Sequence, residues 1–153
     1  MSRLMIGDIV EIKTLKGNAY AQYTHKHSQY GSLLRVFKGF YSSRPVVIED
    51  IMKNDIQFSI FFPLKAAVTQ RIVEIVGNIP VPKPLEQFPM FRAGIADPVT
   101  GKVSVWWLWD GKNEEKVGSI TNEQRKLPIR GVWNDTLLVE RIESGWMPET
   151  DQS

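Results

Sequence analysis

The chain has 153 residues, 19 lysines and arginines against 17 acidic residues, two histidines and no cysteine. That length suits a single domain over residues 1–153 with a core that needs no staples, and the missing cysteine excludes disulfides, thiolate metal ligands and a cysteine nucleophile. The net charge of +2 is built from interspersed pairs rather than runs, which argues against a nucleic-acid partner. No stretch approaches the roughly 18 apolar residues of a membrane span, and the apolar run at residues 4–6 is too short for a signal peptide, so a cytoplasmic protein without a membrane partner is expected.

The first forty residues read as an antiparallel meander. Residues 6–14 alternate around Ile9 and Ile12 and form a strand, and Lys16-Gly17-Asn18 is a turn. Residues 19–27 make a second strand that should place Ala19, Ala21, Tyr23, His25 and His27 on one face. Residues 32–41 make a third, with Gly39 as a bulge. After Arg44-Pro45, residues 46–53 suit a short helix, because Val47, Ile48 and Ile51 recur at helical spacing. Residues 56–62 alternate cleanly and stop at Pro63; residues 65–70 suit a turn of helix, and residues 71–76 a further strand closed by Gly77-Asn78. Residues 79–90 carry Pro80, Pro82, Pro84 and Pro89, so they form an extended surface connection, with one helical turn at residues 85–88.

Residues 91–109 read as a hairpin turning at residues 97–102. Its second strand, V-S-V-W-W-L-W-D-G over residues 103–111, carries large apolar groups on both faces and should be covered on both. Val103, Val105, Trp107 and Trp109 share one of those faces. A short strand is expected at residues 116–120. Thr121-Asn122-Glu123-Gln124 is a capping box opening a helix that Pro128 stops. Asn134 caps a last helix with Leu138, Val139, Ile142 and Trp146 on one side, Gly145 closes it, and the polar tail 148–153 is expected to fray. The sum is an α+β fold: a mainly antiparallel curled sheet or partly open barrel of about seven short strands, with two or three short helices including a C-terminal one.

Few residues point to chemistry. His25 and His27 are the only imidazoles, and their spacing on a strand could aim both at one metal, but a zinc site needs further ligands and no motif places a carboxylate there. Neither a metal nor any cofactor is expected. No G-x-S-x-G, H-E-x-x-H or glycine-rich phosphate loop occurs, so no catalytic residue is assigned. The segment from Tyr23 to Arg35 stands out because its aromatics lie among polar neighbours. Tyr23, His25, Tyr30 and Arg35 have the composition of protein-binding anchors.

The runs G-D-I-V-E-I-K-T, A-Y-A-Q-Y and L-L-R-V-F, then F-F-P-L at residues 61–64, I-V-E-I-V-G-N-I-P-V-P at residues 72–82 and P-M-F-R at residues 89–92, resemble the immunity protein 26 family of bacterial polymorphic toxin systems. The resemblance spans residues 6–95 and rests on hydrophobic pattern and the Gly-x-x-Pro-x-Pro run. It implies a non-enzymatic protein whose partner is a cognate protein toxin, which it binds and neutralises. A small nucleic-acid-associated β domain, suggested by the aromatics and the slightly basic balance, is the alternative. A metal-dependent enzyme built on His25 and His27 is the third.

Overall fold

The computed structural model describes residues 3–153. Five strands, β1 (Asp8–Thr14), β2 (Gly17–His27), β3 (Gly31–Phe37), β4 (Ile56–Phe62) and β5 (Val73–Asn78), form an antiparallel sheet in the order β4-β3-β2-β1-β5. Three more, β6 (Phe91–Ala93), β7 (Trp106–Trp109) and β8 (Glu114–Gly118), form a second antiparallel sheet. Neither sheet closes into a barrel. Three short helices complete the α+β fold: α1 (Leu64–Thr69), α2 (Asn122–Arg125) and α3 (Asp135–Glu143). No helix among the described residues is long and apolar enough to cross a membrane.

The larger sheet is buried on both faces for different reasons. One face presents Val10, Ile12, Ala21, Tyr23, Leu34, Val36, Phe58 and Ile60 to Leu138 and Ile142 of α3 and to Ala67 of α1. Cross-strand pairs such as Tyr23–Leu34–Ile60 and Ala21–Val36–Phe58 build this face, and their burial is the main stabilising term. Asn134 caps α3 by accepting from the Leu137 amide, and Gly145 takes φ +69 at its exit, a conformation cheap only for glycine.

The opposite face holds two apolar clusters. Ile9, Tyr20, Phe37 and Ile51 form one, under a 3-10 turn at Ile48–Lys53. Leu33 and Phe61 join Phe91 and Trp109 of the second sheet in the other, and this cluster is the seam between the sheets. Between them runs a polar band, Gln22 on β2, Arg35 on β3 and Ser59 on β4, directly opposite one another across the strands. The proline-rich segment, residues 79–90, leaves β5 at one edge of the sheet and reaches β6 beyond the other. It is tied on the way by Gln22, which donates to the Ile79 carbonyl at 2.6 Å. Its single helical turn falls at Lys83–Leu85 rather than at residues 85–88.

Residues 129–132 then bridge the two sheets, Ile129 against Arg92 of β6 and Val132 against Phe61 of β4. The polar tail, expected to fray, makes contacts with the rest of the fold. Pro148 is buried, its carbonyl accepts from Arg92 at 2.6 Å, and Asp151 accepts from the Trp146 indole at 3.0 Å and pairs with Arg141. Burial pushes the Asp151 carboxyl up, but the Ser153 and Trp146 hydrogen bonds outweigh it and hold the group below its ordinary range.

Candidate functional site

Of the four anchor candidates, the structure brings His25 and Tyr30 to the seam and separates the other two. Residues on one regular strand face should alternate, which put Tyr23 with His25 and His27. Between Tyr23 and His25 the register with β3 slips by one residue, so Thr24 is an extra residue. Such a bulge inverts the alternation beyond it. Tyr23 therefore stays on the helix-covered face, 4% exposed, and is a core residue, not an anchor. His25 falls opposite Leu33 on the seam face. Arg35 is 6% exposed and lies in the polar band, so it too is not a surface anchor; burial alone lowers its pKa.

Both histidines act as ties. The Nε2 of His25 donates to the Glu86 carbonyl at 2.7 Å and its Nδ1 meets the Thr24 hydroxyl at 2.9 Å. The Nε2 of His27 donates to the Gly111 carbonyl at 2.7 Å, while its Nδ1 accepts from the Gln29 and Tyr30 amides. A carbonyl only accepts, so these contacts place the proton on Nε2 in each ring. They leave no ring nitrogen free to bind a metal.

Around His27 the seam is aromatic. Tyr30 stacks on Phe61 at 5.3 Å, and Trp109 packs against His27, Tyr30, Phe88 and Phe91. The Arg130 guanidinium lies 5.2 Å from the Trp109 ring centre and 5.8 Å from that of Tyr30, and pairs with Glu114 at 2.6 Å. Such contacts fix Tyr30 and Arg130 as rigid, half-buried groups.

The same sheet face continues outward along the β6–β7 hairpin. Phe91 and Trp109 are opposite each other and buried; Ala93 and Trp107, the next pair on that face, are at its margin. Beyond them Ile95 is 92% exposed and Val105 is 39% exposed. Ala93, Ile95, Val105, Trp107, Glu114 and Arg130 line an open groove of about 420 Å3. The Trp strand is thus covered on both sides only at Trp106 and Trp109. Arg92 stacks on Trp106 at 4.5 Å. Beyond Trp109 the strand stops because Asp110 Oδ1 accepts from the Lys112 and Asn113 amides and turns the chain. Ile95, Glu114 and Arg130, which line this groove, belong to no motif of the sequence. The available signal was Ile95 and Val105 continuing the Ala93–Trp107 face toward a polar turn.

No comparable convergence occurs at the buried Glu11, which is committed to structure: it accepts from Tyr20 at 2.7 Å and from Arg44 at 2.9 and 3.1 Å. A hollow of about 580 Å3 by the free edge of β5 mixes Arg3 and Arg71 with Asp8 and Glu74. The groove and the aromatic seam beside it are therefore the arrangement best suited to recognition, and what they offer is shape, apolar area and one arginine. No protein-family model, no curated protein and no solved structure matches this chain.

Proposed function

We propose that this is a non-enzymatic, immunity-type protein that binds and neutralises a co-encoded bacterial protein toxin. The resemblance of residues 6–95 to the immunity protein 26 family suggests the class. The observation that carries the reading is the hairpin groove: exposed Ile95 and Val105 beside half-buried Trp107, Tyr30 and Arg130, on a framework already rigid. Protein–protein interfaces draw most of their binding energy from a few aromatic and arginine anchors inside a polar rim. Pre-organised anchors lose little entropy on association.

The test is co-expression with the toxin encoded beside this chain, using wild type, an Ile95→Asp/Trp107→Ala variant and a Tyr30→Ala variant, with circular dichroism as the folding control. Wild type should form a stable complex and protect the cell. Loss of a true anchor should weaken binding by about 2 kcal/mol or more, mainly through faster dissociation. Wild type that neither binds nor protects removes the proposal. Folded variants that protect as well as wild type move the binding face away from the groove.

A further inference from the structure

Arg35 is a cation buried without a counter-charge. It is 6% exposed, one of its terminal nitrogens, Nη1, has no hydrogen-bond partner, and its side chain makes no hydrogen bond or ion pair among the described residues. An arginine cannot escape this by losing its proton near neutral pH, and an unpaired buried charge is costly. The neighbours across the strands do not supply an anion, since they are Gln22 and Ser59.

Arg35 lines a cavity of about 280 Å3 between β4 and the C-terminal segment. Ser59, Pro89, Pro128 and Pro148 shape its walls, and Lys126 and Glu149 also line it. Glu149 is its one carboxylate and is not paired with Arg35. Behind the Pro148 wall lies a second cation, Arg92, whose guanidinium donates to the Pro148 carbonyl. Desolvation, with the charge of Arg125 adding to it, pulls the pKa of Arg92 down to about 10. Asp151 and Glu149 act in the opposite direction on Arg92, and Lys126 at the rim pairs with Glu123 at 3.2 Å, so the cation lining this cavity that has no counter-charge among the described residues is Arg35, held on a rigid strand.

We propose that this cavity binds a small oxyanion, a carboxylate or phosphate group, with Arg35 as the buried donor and Lys126 at the rim. A guanidinium fork matches both groups geometrically, and the space admits a compact ligand in place of several waters. The site is separate from the hairpin groove and does not depend on toxin binding.

The experiment uses inorganic phosphate and succinate as probes, with chloride at matched ionic strength as the reference. Calorimetry and thermal unfolding would be followed for wild type, Arg35→Gln and Lys126→Ala. One saturable site is expected, with a stability gain that grows by mass action. Its dissociation constant should rise about tenfold or more in Arg35→Gln, as for loss of a charged hydrogen bond, and by a smaller factor in Lys126→Ala. A preference for phosphate identifies a phosphorylated ligand, a preference for succinate a carboxylate, and equal response an oxyanion site that does not discriminate. Should Arg35→Gln fail to fold, the Arg35 Nε–H resonance of wild type decides, because phosphate or succinate should move it where chloride does not. The proposal is overturned if neither probe does more than chloride, if binding persists unchanged in a folded Arg35→Gln, or if the Arg35 resonance ignores both probes.

Discussion

Trp107 and Trp109 lie two residues apart on one strand face, yet only Trp109 reaches the seam, where Leu33, Phe61 and Phe91 surround it. Trp109→Ala should cost roughly 3–5 kcal/mol, the range for truncating a buried aromatic. Trp107→Ala, at the edge of the groove, should cost about 1 kcal/mol. Chemical denaturation of the two variants checks the order, and a larger loss at Trp107 would mean that the groove is closed. Glu11 allows a pH test. Its hydrogen bond from Arg44 holds the carboxyl below its ordinary 4.5; burial opposes this, and Tyr20 adds to it. A group whose folded pKa is depressed stabilises the protein above its unfolded value, and that contribution is lost as pH falls through the folded value. Glu11→Gln should therefore cost about 1–3 kcal/mol near neutral pH, and the difference from wild type should shrink as pH drops from about 4.5. A gap that stays constant down to pH 3 would show that the Arg44 pair contributes nothing.

At the scale of elements, the C-terminal segment does more than its composition suggests. It carries the carbonyl that accepts from Arg92, which is 0% exposed and has two further nitrogens without partners. Removing residues 148–153 would take from this buried cation the one acceptor it has among the described residues, which should cost about 1.5–3 kcal/mol, the range for a hydrogen bond to a charged group. A denaturation midpoint close to that of wild type would show that Arg92 finds another partner. The polar letters of residues 148–153 read as a fraying end because their contacts, Arg92, Arg125 and Arg141, come from other parts of the chain. Local chemistry was readable. The Thr121–Gln124 capping box, the Asn134 cap and the hairpin turn at Asp97–Gly101 all form as their residue types dictate. The bulge at Thr24 was not readable, since Tyr23-Thr24-His25 continues a strand pattern without interruption and only the partner Leu33–Leu34 reveals the extra residue. That one slip turned His25 away from Tyr23 and toward the seam, whereas Tyr23, which precedes it, keeps the helix-covered face of Ala19 and Ala21 that plain alternation gives it. Arg35 was misplaced for a different reason: alternation puts it on the face opposite Leu34, and nothing in the sequence says that the proline-rich segment and the C-terminal segment cover that face.

For the whole molecule, the question is whether two sheets behave as one cooperative unit. The contacts that join them are spread widely. His25 and His27 tie β2 to residues 86 and 111, the aromatic seam packs Phe61 on Phe91, and residues 129–132 bridge β6 to β4. Arg92 then locks β6 to the C-terminal segment, whose Trp146 packs with Trp133 on Phe58 of the larger sheet. No seam lacks a second connection, which favours a single transition. The aromatic residues offer natural reporters. The four tyrosines all lie between residues 20 and 41, within or beside the larger sheet, and the five tryptophans all lie between residues 106 and 146. Tyrosine emission therefore follows the first half of the fold and tryptophan emission the second half and the C-terminal layer. In urea the two signals and far-ultraviolet circular dichroism should share one midpoint and one slope, and His27→Ala should shift all three together. With Trp133 and Trp146, which report the C-terminal layer on Phe58, replaced by Phe, a tryptophan transition that precedes the other two, with His27 intact or as His27→Ala, would mean that the β6–β8 sheet detaches first. The groove would then rest on the less stable half of the molecule, and its anchors would lose the rigidity on which tight binding through Tyr30, Trp107 and Arg130 depends.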